Sequence, residues 1–179
     1  MESYTLENFP HQQVHYALFD NVKNAPELKQ RISSQDMTLA CALINANLVI
    51  DRRVVLLTAN RALADESTGS LKTHSLHSEI LFDFGATNNI GKTYTTFGID
   101  TTTTQLVAIK ITEATPSSAK EAEAFLTSNI QGDMVPFDRL ESMHDLKAIM
   151  KAYQLKTPSE DRQTIESLIT SAIALRGHI

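Results

Sequence analysis

The segment between residues 72 and 100 constrains the fold more than any other part of this chain of 179 residues. Its first half carries apolar residues at i, i+4, i+5 and i+8, a spacing that predicts a short amphipathic helix. These residues are Leu76, Ile80, Leu81 and Phe84. Ser75 precedes them in the position of an N-cap, and a strand through residues 80–84 is the alternative.

The second half of the same segment predicts another helix after a tight turn. Its apolar stripe, at i, i+4 and i+7, consists of Ile90, Tyr94 and Phe97. Asn88 or Asn89 would cap this helix, and Gly98 would end it. The segment therefore encodes two helices joined by a turn, and the rest of the chain has to pack around them.

Polar side chains gather at both ends of the first of these helices. They are Lys72, Thr73, His74, Ser75 and His77 before it and Asn88 and Asn89 after it. Such groups can contact phosphates through side chains and a helix N-terminus. A weakly basic region, with Arg52, Arg53 and Arg61, precedes them, and a solvated helix face of mixed charge explains it equally well.

Length and composition predict one domain over residues 1–179, since an apolar fraction of 42% can form a core without disulfide or metal. No apolar run approaches the roughly 20 residues that cross a bilayer, and the first residues do not resemble a signal peptide. We therefore expect a location in the cytoplasm and nucleus and no contact with a membrane. A net charge of −5 argues against gripping nucleic acid through a broad basic surface, so any such contact would be local.

The remaining chain predicts a mixed α/β fold, in which a small mixed or antiparallel sheet of three to four strands is covered by about six helices. The predicted strands lie at residues 14–22, 105–112 and 134–137, and residues 39–50 form either one buried strand or two short extended pieces. Asn24 and Asp138, each followed by a glutamate three residues later, resemble capping boxes that begin helices. Asp51 would cap a further helix that runs to about Glu66.

The last predicted helix has the most regular apolar stripe in the chain. Its members are Ile165, Leu168, Ile169, Ala172 and Ile173. Thr157–Ser159 would begin this helix, and Gly177 would end it. The stripe fits either a docking face for another protein or closure of the domain's own core, with Leu175 and Arg176 expected to face outward.

Motifs for catalysis or cofactor binding are absent from the sequence. It has no phosphate-binding GxxxxGK[ST] loop and no GxGxxG motif. Two histidine pairs, His11 with His15 and His74 with His77, lack further ligands at zinc-like spacing. Cys41 lies in an apolar run, which predicts a buried, unreactive thiol. We therefore expect no metal, no cofactor and no enzymatic activity, which leaves binding as the leading class of function.

Several segments together resemble one protein family. They are FPHQQVHYALFDNVKNAPELKQRI at 9–32, ALINANLVID at 42–51, LKTHSLHSEILF at 71–82 with NNI and FGI after it, and AIALRG at 172–177. These segments are similar to the small kinase-binding subunit of the KEOPS (or EKC) tRNA-modifying complex, the PRPK-binding protein family. The resemblance extends in order over nearly the whole chain.

This resemblance implies a non-catalytic subunit that docks on the atypical kinase/ATPase of the complex and, through it, reaches the threonylcarbamoyl-transferase subunit. It also implies a contact with the 3′ CCA end of tRNA, whose adenosine next to the anticodon the complex modifies. By position, Lys72, Thr73 and His74 match the family's basic K/R-T-R stretch, and Asn88 and Asn89 match the turn before the second helix.

The chain departs from the family pattern at His74, where relatives tend to carry arginine, whose bidentate phosphate contact an imidazole cannot reproduce. Arg61, from the weakly basic region, joins the candidate tRNA-binding residues. The candidate kinase-binding residues, on the last helix, are Leu168, Ala172, Leu175 and Arg176. The alternative is an enzyme for a small ligand with its site in the Thr73–Asn89 cluster, which would require a deep pocket with two convergent titratable groups.

Overall fold

Strands with alternating side chains form the centre of the computed structural model, which describes residues 1–155 and 161–176. Five strands lie within these residues: β1 (Glu2–Tyr4), β2 (Gln12–Asp20), β3 (Ala42–Asn45), β4 (Leu106–Glu113) and β5 (Asp133–Val135). All the pairings are antiparallel, in the order β1-β2-β4-β3, and β5 pairs with the last residues of β2. The longest pairing joins β2 to β4, with Tyr16 opposite Ile109.

Both faces of this sheet are buried, which gives the domain two apolar layers. Successive side chains of a strand point to opposite faces, so Val14, Tyr16 and Leu18 of β2 enter one layer. Ala17 and Phe19 enter the other. Because each face needs a covering layer, helices pack on both sides of the sheet.

Eight α-helices lie within the described residues. They are α1 (Ala25–Ser33), α2 (Arg52–Ser67), α3 (Leu76–Asp83), α4 (Ile90–Phe97), α5 (Ser118–Asn129), α6 (Leu140–Met143), α7 (Leu146–Ala152) and α8 (Arg162–Leu175). Leu28 of α1 and Leu126 of α5 pack on the Phe19 side of the sheet. Buried residues of α2, α3, α4, α7 and α8 share the other layer. None of the helices that the structure describes has the length and apolar character that crossing a bilayer requires.

The predicted fold class is confirmed: the protein is a mixed α/β fold with an antiparallel sheet. The caps predicted at Asp51, Ser75 and Asn89 are present, and each side-chain oxygen accepts from a backbone N–H of its helix. The strand predicted as an alternative through residues 80–84 is wrong, because these residues belong to α3 and its C-cap. The sheet has one strand more than expected, β1.

Two predicted capping boxes are wrong. The side chain of Asn24 makes no cap hydrogen bond and instead joins two loops, donating to the Asn129 carbonyl at 2.9 Å and accepting from Gln131 N–H at 3.0 Å. The predicted helix from Asp138 is divided into a 3-10 turn, α6 and α7, because Asp145 caps α7 separately. The predicted start of the last helix at Thr157–Ser159 and its stop at Gly177 lie outside the described residues.

Candidate functional site

The loop before α3 is held from beneath by a buried carboxylate. Glu79 is fully buried, and its Oε2 accepts from Lys72 N–H at 3.0 Å, Thr73 N–H at 2.8 Å and the Thr73 hydroxyl at 2.7 Å. Lys72 and His74 are nonetheless exposed, because the anchor binds the backbone and the Thr73 side chain. The loop therefore presents two basic side chains from a fixed backbone.

A narrow groove runs beside this loop, between the start of α3 and the chain that leads into β3. Its volume is about 90 Å³, and Met37, at 65% exposure, lies at its edge. His74 Nε2 and Ser78 Oγ lie 3.1 Å apart, and the Tyr94 hydroxyl donates to the Ser78 carbonyl at 3.1 Å. The groove thus combines apolar walls with a polar end at His74, the arrangement expected of a site for a small flat group.

His77, the second residue of α3, has a structural role. Its Nε2 accepts from Ile111 N–H at 3.3 Å, beyond the point where β3 stops pairing with β4. Burial, reinforced by the positive charge of Lys110, lowers the pKa of His77 to about 4. A neutral imidazole is required there, because a protonated ring could not accept this hydrogen bond. The polar cluster before α3 therefore contains one histidine that is not available to a ligand.

Asn88 and Asn89 lie at the opposite end of α3 from Lys72 and His74. The helix has eight residues, so about 12 Å separates its ends. Asn89 Oδ1 accepts from Lys92 N–H at 2.9 Å and caps α4, while Asn88 is exposed. The structure therefore does not bring the candidate tRNA-binding residues into one pocket. The alternative of an enzyme site is not favoured either. The groove beside Lys72–His74 has a volume well below the roughly 300 Å³ of typical ligand pockets.

Arg176 is turned inward, so the prediction that it faces outward is wrong. It is only 4% exposed, donates to the Phe82 carbonyl at 2.5 Å and the Gly85 carbonyl at 3.1 Å, and pairs with the Asp83 carboxylate. These acceptors include carbonyls at the C-terminal end of α3, where the regular hydrogen bonds of the helix end. The guanidinium therefore joins the end of α8 to the end of α3.

Arg61, a candidate for tRNA contact, is also engaged within the protein. It donates to the Ile173 carbonyl at 2.6 Å and the Arg176 carbonyl at 2.8 Å, and its Nε lies 3.3 Å from Asp83 Oδ1. In this way it satisfies carbonyls at the end of α8. A guanidinium bound to three partners on its own chain is a poor candidate for a phosphate contact.

The last helix, α8, carries apolar side chains on two faces, one buried and one exposed. Ile165, Ile169 and Ile173 are fully buried and close the protein's own core. Leu168 and Leu175, seven residues apart and hence on one face, are 39% and 49% exposed. We call the latter pair, with Ala172, the outer strip of α8. Closure of the protein's own core is therefore confirmed for the isoleucine face, and the docking of another protein stays a prediction for the exposed face.

One cluster of carboxylates among the described residues has the spacing of a metal site. Oxygens of Asp65, Glu79 and Asp83 lie within 4.8 Å of one another. Two guanidinium groups, from Arg61 and Arg176, already bind Asp83 and supply positive charge. Sequence reasoning missed Glu79 and Asp83; the available signal was two acidic residues four apart and enclosed by large apolar residues in SEILFDF.

Comparison with known proteins gives consistent matches over most of the chain. The family model described as "Kinase binding protein CGI-121" matches residues 19–177. A protein of Aspergillus fumigatus named EKC/KEOPS complex subunit cgi121 is 34% identical over 169 residues, which cover 92% of this chain and 89% of the relative. A Danio rerio protein named EKC/KEOPS complex subunit TPRKB is 33% identical over 159 residues, covering 88% and 86%.

Proposed function

The chain belongs to the CGI-121 family of kinase-binding proteins, and on this premise we propose that it is a non-catalytic subunit of a KEOPS/EKC complex, binding the atypical kinase/ATPase and recruiting tRNA. The kinase would link it to the threonylcarbamoyl-transferase subunit, in the cytoplasm and nucleus. The observation that carries the proposal is the outer strip of α8, an exposed apolar face on a helix whose other face is fully buried.

The outer strip of α8 suits a protein partner for a physical reason. Two large aliphatic side chains on one helix face are anchors of the kind that helix-mediated contacts bury. Full burial of an exposed leucine contributes roughly 1.5–3 kcal/mol, and these two side chains have 39% and 49% of their surface left to bury, so each can add about 1 kcal/mol to an interface. The small Ala172 between them allows close approach of a partner surface.

The kinase contact is tested by placing charge on this strip. We expect Leu168→Glu with Leu175→Glu to weaken binding to the purified kinase subunit by roughly 100-fold or more, since two apolar anchors are lost and two charges are buried. Isothermal titration calorimetry measures the affinity, and thermal melting of the free variant checks that it remains folded. The matched control is Gln163→Glu with Ser167→Glu, on exposed positions of the same helix away from the outer strip.

An unchanged affinity of the leucine variant would move the kinase contact away from α8. Equal loss in the control variant would also contradict the assignment to the outer strip, because it would show a general effect of charge on this helix.

We further propose that the loop at Lys72–His74 and the groove beside it receive the 3′ end of tRNA. Two exposed basic side chains on an anchored backbone can contact phosphates without an ordering cost for the loop. The apolar groove wall and the Tyr94 ring can accept an unstacked base, which is how proteins commonly read single-stranded RNA ends.

The RNA contact is tested with Lys72→Glu together with His74→Glu, and binding to a short RNA ending in CCA is measured by fluorescence anisotropy. We expect roughly 10-fold or greater loss, because attraction becomes repulsion at the phosphates. Lys120→Glu, an exposed lysine on α5, is the control for charge alone. Wild type, the double variant and Lys120→Glu should bind the kinase with the same affinity. Equal RNA binding by the double variant and Lys120→Glu would contradict the role of this loop.

A further inference from the structure

Glu79 and Asp83 form a pair of buried carboxylates that each use only one oxygen. They lie four residues apart on one face of α3, and both are fully buried. Glu79 Oε2 holds the loop at Lys72–Thr73, and Asp83 Oδ1 binds Arg176. Glu79 Oε1 and Asp83 Oδ2 are buried and have no hydrogen-bond partner. A buried acceptor without a partner is costly, so these two oxygens require an explanation.

The charges that face the pair leave one negative charge without compensation. Asp65 of α2 adds a third carboxylate within 4.8 Å, while Arg61 of α2 and Arg176 after α8 add two guanidinium charges. From α4, Tyr94 also faces Glu79, and its phenol is neutral because burial raises its pKa. Three carboxylates against two guanidinium groups give a net charge of minus one, which one proton would cancel. A divalent cation would overcompensate it and would lie beside two guanidinium groups.

We propose that Glu79 and Asp83 share one proton near neutral pH and act as positioning residues that join the proposed tRNA-binding loop to the end of the kinase-binding helix. The proton lies on Asp83 Oδ2, which has no hydrogen-bond partner. Oxygens of the two carboxylates lie within 4.8 Å of each other, so this proton removes their repulsion. The remaining oxygen of each carboxylate then holds its own element, the loop at one end of α3 and Arg176 at the other. The consequence for binding rests on the function proposed above, whereas the shared proton does not.

The environment of Asp83 supports such a proton. Burial raises its pKa to about 7, against the lowering effect of Arg176 and Arg61, and the charge of Glu79 raises it further. Above that pH the two carboxylates repel each other. Glu79 is the one to move, since Asp83 is held by two guanidinium groups and Glu79 by N–H and hydroxyl groups of the loop. The loop before α3 therefore loosens as the proton leaves.

Amide variants of the full chain test the shared proton directly. Glu79→Gln and Asp83→Asn each replace one carboxylate with a neutral amide of the same shape, so each variant keeps the charge of the singly protonated pair. Urea unfolding is measured between about pH 6 and about pH 8.5, as the difference between wild type and each variant so that other titrating groups cancel. We expect the wild-type midpoint to fall relative to each single variant as pH rises. The double variant, which has lost both negative charges, should unfold at a lower urea concentration than either.

Two results would overturn the shared proton. One is a difference between wild type and Glu79→Gln that does not change with pH, a test that stands even if Asp83→Asn fails to fold. The other is stabilisation of wild type, and not of Glu79→Gln, by added Mg²⁺ or Ca²⁺ with reversal by EDTA, which would assign the two oxygens to a cation.

Binding of an RNA ending in CCA tests the positioning role. Raising the pH through 7 should weaken binding by wild type about threefold more than binding by Glu79→Gln. Both proteins retain every other residue of the loop, so effects of those residues cancel in the comparison. Equal pH profiles would contradict the positioning role, even where the unfolding experiment supports the shared proton. Absence of RNA binding at every pH, with the unfolding difference intact, would count against the proposed function and leave the shared proton standing.

Discussion

The two ends of α3 use basic side chains in opposite ways. At the N-terminal end a buried carboxylate, Glu79, binds backbone N–H groups, which leaves Lys72 and His74 free for a partner. At the C-terminal end a buried carboxylate, Asp83, binds Arg176 and lies beside Arg61, so both cations are consumed within the protein. A carboxylate that binds backbone N–H groups leaves nearby basic side chains at the surface. A carboxylate that binds a guanidinium draws that side chain into the core.

The largest effect is expected at the C-terminal end, from Arg176→Ala. The change removes the guanidinium that the buried Asp83 carboxylate and the Phe82 and Gly85 carbonyls share, and leaves Arg61 as the one cation beside Asp83 among the described residues. Removing one partner of a buried ion pair costs about 3–5 kcal/mol of unfolding free energy. Chemical denaturation measures the loss. Arg53→Ala, which removes only exposed ion pairs with Asp51 and Glu166, should change stability little; equal losses in the two variants would contradict the inward role of Arg176.

The next effect is expected at the N-terminal end, from Glu79→Ala. This change leaves the partly buried N–H groups of Lys72 and Thr73 without the Glu79 acceptor and should cost about 1–3 kcal/mol. Hydrogen exchange of these two amides should accelerate more than exchange in the strands, because the loop loses its anchor. Glu123→Ala, on an exposed position of α5, is the control. Unchanged exchange at Lys72 and Thr73 would show that the loop is held by other contacts.

A pH-dependent effect of similar size is expected from His77. Its pKa in the folded protein is about 4, against about 6.5 in the unfolded chain, so between these values the unfolded chain binds more protons. The contribution of His77 is therefore complete above about pH 6.5 and is lost as pH falls toward 4, about 2 kcal/mol by pH 5. The variant His77→Gln keeps a hydrogen-bond acceptor but cannot titrate. The difference in unfolding free energy between wild type and this variant, measured by urea denaturation, isolates the contribution of His77. A difference that is the same at pH 7 and pH 5 would contradict the neutral imidazole.

Much of the fold could be predicted from the sequence because its signals are local. Alternation in β4 and the caps at Asp51, Ser75 and Asn89 depend on residues a few positions apart. The strand β1 was missed because its pairing is not local: only its register against β2, with Glu2 opposite Tyr16, makes residues 2–4 a strand. Asn24 failed as a cap for the same reason, since its partners lie more than 100 residues away.

The candidate site was only partly predictable, and the limit is physical. The spacing of apolar residues identified α8 and indicated two roles for it, closure of the core and docking of a partner. It could not assign Arg176 to the interior. An arginine after a helix is usually exposed, and only contacts with Asp83 and the end of α3 reverse this. Likewise Glu79 and Asp83 have the residue type of a solvated helix face. Their burial follows from α2, α4 and β3 packing beside α3 and from Arg176 at its C-terminal end, and no short window of sequence contains these elements.

The smallest effect on stability, and the sharpest contrast with Arg176, is expected from Lys72→Ala. Its backbone N–H bonds to Glu79 whatever side chain it carries, and the side chain itself is exposed. The unfolding free energy should therefore change by less than about 0.5 kcal/mol. If the loop contacts RNA phosphates, affinity should nevertheless fall, and the slope of log affinity against log salt should decrease by about one, since one fewer cation displaces counterions. A clear loss of stability with an unchanged salt slope would mean that Lys72, like Arg176, serves the fold, and the contrast between the two ends of α3 would no longer hold.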